Sequence, residues 1–313
     1  MKPGHGLLVG PPRQNALHSS VFALPSPIDL LRSLRSFRGP LTNPTKNWKS
    51  TIMDKPALVS LTFDDGLRCQ FEQAVPILDQ YGFPATFFLV ANTDPIHTDG
   101  APHPDWSRTD WNEKDIHFFK NMIQRGHEIG AHSVHHRHPF LSNNPKFEAE
   151  GSKQWIESRL GVEIPSYCYP FCYYTDPIKT AVINAGYKQA RWGLNRCYCP
   201  ERGPIDFYKV DCRLIARDNP EFVVVDGVRH QVGRDGSEDV NGWLQSDWYV
   251  LMFHGIGTIN DGWWPISVAE FTRQMAELAK LRDSSAVEVV TFKDGADRWR
   301  RRTGRDSNLH PAD

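Results

Sequence analysis

The 313-residue sequence lacks three things: a long apolar run, a charge excess of either sign, and any C-x-x-C cysteine pair. No apolar stretch approaches the ~20 residues that a helix needs to cross a bilayer, so no transmembrane segment is expected. The 36 Lys and Arg against 37 Asp and Glu leave a net charge of −1. A general nucleic-acid binder would carry a basic excess, so nucleic acid is not an expected partner. The six cysteines show no structural-zinc spacing, and Cys197 and Cys199 are too close for an ordinary mutual disulfide. They read as reduced thiols of an intracellular protein, although disulfides in a secreted form stay open. What is present in quantity is apolar residues, at 40%, enough to build a full core and to rule out a wholly disordered chain. Histidine is also abundant. Of 13, His127, His132, His135, His136 and His138 fall in one short stretch.

Acids are nearly missing from residues 1–53, where Asp29 stands alone against seven bases. This segment is expected to be a disordered basic extension. An organellar transit peptide is a weaker reading, and no apolar segment follows a basic start as a secretory signal requires. Residues 54–295 are expected to form one catalytic domain, and 296–313 an Arg-rich flexible tail.

From Ala57 the chain alternates apolar strands with amphipathic helices. Predicted strands are Ala57–Phe63, Ala85–Val90, His127–Ala131, Ser166–Tyr169, Lys188–Ala190, Phe207–Val210, Trp248–Phe253 and Val287–Phe292. Predicted helices are Arg68–Tyr81, Trp111–Arg125, Pro145–Leu160, Pro177–Ala185, Glu221–His230 and Ser267–Leu281. The alternation predicts an α/β fold, a distorted (β/α) barrel with seven or eight strands. In such barrels chemistry gathers at the C-terminal ends of strands, and three polar groups fall there.

The first is Asp64-Asp65-Gly66. Adjacent carboxylates at a strand end are costly to bury without a cation, though an Asp-Asp-Gly turn is an ordinary strand ending. The second is His132-Ser133-Val134-His135-His136. His132 and His136 are one helical turn apart and with a carboxylate would make a three-ligand metal site. A solvated His-rich loop is the plainer reading. The third is His254, at the end of an apolar strand, a place where a single histidine is more often structural.

The order Asp-Asp-Gly, His-Ser-x-x-His, then a strand ending in His resembles the polysaccharide deacetylase family, the NodB-homology domain of carbohydrate esterase family four. The resemblance spans Ala57 to Phe292. It implies that Asp65, His132 and His136 bind a divalent metal, most simply Zn2+. It implies Asp64 as general base, His254 as general acid and Ser133 as a hydrogen-bonded support of the histidine loop. The family's third motif matches Cys168-Tyr169-Pro170-Phe171-Cys172, with the Phe171 N–H as candidate oxyanion donor. The family's usual arginine is replaced there by Cys168, which leaves Asp64 without its expected cation. Asp211 is the candidate partner that orients His254.

Candidate substrate-binding residues are Pro170, Phe171, Leu251, Met252, Trp263 and Trp264, with Trp192 another aromatic near a strand end. Tryptophan faces stack on sugar rings, and core packing is an equal reading for each. The expected partner is an N-acetylated glycan or oligosaccharide, and the expected activity hydrolysis of a non-peptide C–N bond. An allantoinase-like hydrolase of small amides and a non-catalytic carbohydrate-binding relative are the rivals.

Overall fold

The computed structural model describes residues 56–91, 97–98, 101–102, 108–137, 144–193, 205–215 and 248–303. The chain divides into Met1–Thr51 and Ile52–Asp313. The expected basic extension, the helix expected over Glu221–His230, and His138, Cys197 and Cys199 lie outside the described residues. No described helix is long and apolar enough to cross a membrane.

The strands are β1 (Ala57–Phe63), β2 (Thr86–Leu89), β3 (His97–Thr98), β4 (Ala101–Pro102), β5 (Glu128–Ala131), β6 (Ser166–Cys168), β7 (Gln189–Arg191), β8 (Arg213–Leu214), β9 (Trp248–Phe253) and β10 (Val287–Val289). The α-helices are α1 (Val75–Tyr81), α2 (Glu113–Gln124), α3 (Ser152–Leu160), α4 (Asp176–Asn184), α5 (Val268–Asp283) and α6 (Phe292–Thr303). Wider π turns, Gln70–Ala74 and Phe147–Gly151, lead into α1 and α3. The Asn112 side chain caps α2 by accepting from Asp115 N–H, and Ser267 caps α5 through Glu270 N–H.

Eight strands form one parallel sheet in the order β7-β6-β5-β2-β1-β9-β8, with β10 also on β1; β3 and β4 form a separate antiparallel pair. The sheet curls until its ends meet. Arg191 on β7 bridges Val210, just before β8, and Val210 N–H donates to Ala190 O at 2.9 Å. The barrel is distorted at β1, where β10 takes Ala57–Val59 and β2 takes Thr62–Phe63. β9 runs along β1 from Leu58 to Phe63.

Pleating sorts the side chains into two cores. Ala57, Val59, Leu61 and Phe63 of β1 pack outward under the helices with Phe87, Leu251, Phe253 and Phe271. Leu58, Phe88, Cys168, Val250 and Met252 pack in a second cluster inside the barrel. Gly130 on β5 is one place where the interior is tight: a Cβ there would sit 2.5 Å from the Phe88 ring.

Two sequence expectations change. Phe207–Val210 is a turn ending in a single bridge, and the strand lies later, at Arg213–Leu214. The last strand stops at Val289, and Phe292–Thr303 is a helix rather than the start of a tail. Phe292, Ala296 and Trp299 share one face of α6 and are buried in the barrel-interior cluster. The arginines made this stretch read as solvated, but Arg300 is itself buried and donates to Lys188 O. Lys293 N–H donates to Glu128 at 2.9 Å and Phe292 N–H to Thr86 at 2.8 Å. These partners lie at strand starts, so α6 covers the N-terminal mouth of the barrel.

Candidate active site

The three polar groups meet at the opposite mouth. β1 delivers Asp64 and Asp65, β5 delivers His132, and β9 delivers His254, all buried. The backbone there is strained: Asp65, Ser133, His136, Phe171, Cys172 and Trp264 all have positive φ. At φ 76° Asp65 turns away from Asp64, so the two neighbouring carboxylates face different groups. Gly66 follows at φ 67°, a turn its missing Cβ makes cheap.

Asp65 Oδ1 lies 3.4 Å from His132 Nε2 and 3.2 Å from His136 Nε2. Neither Asp65 oxygen has a hydrogen-bond partner among the described residues. One ligand atom from each of Asp65, His132 and His136 falls within 4.8 Å of the others. Buried carboxylate oxygens facing imidazole nitrogens without a hydrogen bond are a donor set that fits a divalent cation. The surroundings fix the ligands. His132 Nδ1–H donates to Cys168 O at 2.9 Å, which leaves Nε2 as a lone pair aimed at Asp65. Ser133 Oγ accepts from His136 N–H at 2.9 Å, as the sequence led us to expect. Glu148, which the sequence reading missed, accepts from the N–H groups of Val134 and His135 and ties the loop to the following helix.

Electrostatics agree. Burial pushes the His136 imidazole down to about 3, against the pull of Asp65, so it is a neutral ligand at ordinary pH. Burial opposes the Asp65 charge, but His136, His132 and His254 hold its carboxyl well below the usual range. Burial also pushes His254 below its ordinary value, with Asp64 and Asp65 pulling the other way.

Asp64 has a cation after all. Arg191 on β7 is fully buried and its Nη2 donates to Asp64 Oδ2. Burial works against the Arg191 charge, but Asp64 and the nearby thiols raise its pKa well above the usual value. Arg191 is the register partner of Cys168 on β6. The guanidinium therefore enters from one strand over, across the small Cys168 side chain, and Nη2 approaches its sulfur at 2.7 Å. The expectation of an uncompensated Asp64 is corrected. The signal available was an arginine inside a buried strand, in Lys188-Gln-Ala-Arg191.

His254 Nε2 lies 3.7 Å from Asp64 Oδ2. Gln70 Nε2 fixes both loops by donating to Asp64 O at 2.5 Å and His254 O at 3.0 Å. Asp211 makes no hydrogen bond to His254 Nδ1. Its carboxylate accepts from Cys212 N–H at 3.0 Å, and His254 Nδ1 has no hydrogen-bond partner among the described residues. Phe171, at φ 59°, places its ring 4.8 Å from that of His136, and Pro170 is buried beside it. Trp264 meets His254 edge-on at 5.9 Å and packs on Trp263 at 5.8 Å, both half-buried at the rim. Trp192 instead packs on Tyr174 and donates to Lys209 O. Leu251 belongs to the outer core, on the face of β9 away from the site, so its expected place in a substrate pocket is corrected. Met252 shares the inner face with His254.

Residues 52–190 match the family model described as polysaccharide deacetylase. A peptidoglycan-N-acetylglucosamine deacetylase of Bacillus cereus is 25% identical over 152 residues, 46% of this chain and 61% of that protein's length. The chain thus spans less than two thirds of this curated relative. The solved Xyl-CE4 domain of a multidomain xylanase from the hindgut metagenome of Trinervitermes trinervoides is 16% identical, with a TM-score of 0.48 over 82% of this chain and 95% of that one. A family 4 acetyl xylan esterase from Clostridium thermocellum, solved with cobalt, is 18% identical, with a TM-score of 0.45 over 80% and 93%. The family model covers the Asp-Asp-Gly and histidine motifs that the fold gathers into one buried site, and over residues 52–190 the chain is similar to the polysaccharide deacetylase family.

Proposed function

We propose that the protein is a metal-dependent hydrolase that removes acyl groups, most simply acetyl, from the amino sugars of a glycan. The observation that carries this reading is the pairing of two sets: the Asp65–His132–His136 donors, and beside them the Arg191–Asp64–His254 group. When bound, a divalent cation supplies Lewis-acid polarisation of the amide carbonyl and a more acidic water. The protein's own groups do the rest. Arg191 holds Asp64 Oδ2, and Oδ1, without a hydrogen-bond partner among the described residues, is the atom placed to take a proton from the attacking water. The Phe171 N–H is the assigned donor to the developing oxyanion. His254 Nε2 is the assigned donor to the leaving nitrogen, because an amine departs poorly unless protonated. Asp64 and Asp65 oppose the burial that disfavours its protonated form.

The Trp263–Trp264 pair beside His254 supports a saccharide substrate, since indole faces stack on sugar rings. The allantoinase-like reading drew support from the missing motif arginine, and Arg191 removes that support. Acetate release from chito-oligosaccharides, compared with turnover of allantoin and simple imides by the zinc-loaded protein, is the test. Release from the glycans, abolished by Asp64→Asn, is expected. Ring opening of the ureide with no acetate released would overturn the reading. Added zinc should raise the melting temperature of the wild type but not of Asp65→Asn, a binding readout independent of turnover.

A further inference from the structure

Under the floor of the site lies a cluster of sulfur atoms that the hydrolytic chemistry leaves unused. Met252 Sδ is 3.7 Å from Cys172 Sγ and 3.8 Å from Cys212 Sγ. Both thiols thus converge on one thioether sulfur. We propose that Cys172, Cys212 and Met252 form a trigonal site for one soft monovalent cation, Cu(I) or its chemical analogue Ag(I).

The geometry and the donor chemistry both point there. A cation about 2.3 Å from each of three sulfurs needs those sulfurs about 4 Å apart, close to the two spacings from Met252 Sδ. Two thiolates and a thioether are a soft set that selects Cu(I), whereas the carboxylate and imidazoles of Asp65, His132 and His136 suit a borderline divalent ion. The molecule therefore holds two donor sets of different hardness a few residues apart. Charge also closes. Binding releases the two thiol protons to solvent, and two thiolates with one monovalent cation leave a single negative charge. Arg191 Nη1, 2.7 Å from Cys212 Sγ, already faces that sulfur with a positive charge. The one loss is the Cys212 contact to Gly193 O at 2.9 Å, whose donor goes with the proton. Entry is from the side of Cys172, which is half-buried, while Cys212 and Met252 are fully buried.

The site touches the proposed chemistry through one residue. Cys212 and Asp64 share Arg191, so an ion at the sulfurs competes for the guanidinium that holds the base. Inhibition by Cu(I) follows only if Asp64 is the base, so binding is the primary readout.

The full-length, zinc-loaded, reduced protein is titrated anaerobically with Cu(I) delivered from bicinchoninate, a coloured competitor. One ion per chain and a near-ultraviolet sulfur-to-copper charge-transfer band are expected. Cys172→Ser and Cys212→Ser should each weaken binding on the order of 100-fold or more, and Met252→Leu by about 10-fold. Cys69→Ser, the pair Cys197→Ser with Cys199→Ser, and His136→Ala should leave it in place. Cys172→Ala, at the half-buried position, keeps the test valid if Cys212→Ser does not fold. Three results would each overturn the proposal: undiminished binding in both Cys172 variants, no ion held against the competitor, or a protein lighter by two hydrogens, which would mean a Cys172–Cys212 disulfide instead of a bound ion. Tight binding without inhibition would leave the site standing and count against Asp64 as the base.

Discussion

Arg191 is buried, charged and bound to one carboxylate, and its removal would leave Asp64 as an unpaired buried charge. Arg191→Met should therefore lower stability by about 3–5 kcal/mol, measured by urea unfolding, and abolish acetate release. Arg191→Lys should recover only part of both, because an ammonium lacks the fork that reaches Asp64, Cys168 and Cys212 together. Since Cys168 and Arg191 are register partners, the exchange Cys168→Arg with Arg191→Cys should regain activity that Arg191→Cys alone lacks. Equal inactivity of the exchange and the single variant would argue against a simple counter-ion role. Asp64, Asp65, His132 and His136 were legible because each pair is contiguous or one turn apart in sequence. Arg191 was not, because its partner lies 127 residues away and only strand register joins them.

His127, the first residue of the histidine cluster, has a structural task. Its Nδ1 accepts from Ala85 N–H at 3.2 Å and Nε2 meets Asp79 at 3.2 Å. Burial lowers its pKa, with Asp79 opposing. Between this lowered value and about 6.5, the unfolded chain binds a proton that the folded chain does not. Stability should therefore fall as pH drops below about 6.5, with a slope no steeper than about 1.4 kcal/mol per pH unit from this group. Unfolding at pH 7 and pH 5 checks this. His127→Gln should show a smaller loss over the same window.

Among elements, β5 and β2 illustrate how packing overrides local preference. Gly130 sits mid-strand where propensity disfavours it, because the Phe88 ring occupies the space of its side chain. Gly130→Ala should cost about 1–3 kcal/mol by thermal or urea unfolding, and Phe88→Leu in that background should return part of it. Failure of Phe88→Leu to help would place the strain elsewhere. α6 was misread for the opposite reason. Arg298, Arg300, Arg301 and Arg302 gave a polar average, while the spacing of Phe292, Ala296 and Trp299 already carried the helical signal. Trp299→Ala should destabilise by about 3–5 kcal/mol, because Trp299 is 1% exposed and packs on Trp248 at 6.3 Å.

For the whole molecule, the barrel class was readable from alternation, but its closure was not. The ring joins through the Arg191–Val210 bridge, a contact too short to register as a strand. The barrel has its reactive residues at one mouth and a helix across the other, so the two ends make different demands on mutation. Changes near α6 should move stability with activity per folded molecule unchanged, while His254→Gln at the other mouth, which breaks no buried ion pair like that of Arg191 with Asp64, should lower activity with little change in stability. Measuring the active-site fraction and the melting temperature on the same samples separates the two.

The late chain completes the early one. Ser60 of β1 donates to Thr291 O, 231 residues further on, and Ala57–Val59 find their β10 partners only at Val287–Val289. During synthesis β1 emerges long before β10, so half of one of its edges stays open until Val287–Val289 follow. A chain halted before Val287 would expose an apolar strand edge and an uncovered barrel mouth, which invites association with other chains. The N-terminal half of β1 thus waits for β10 before the sheet is complete, and the chain is most open to association until Val287–Val289 have emerged.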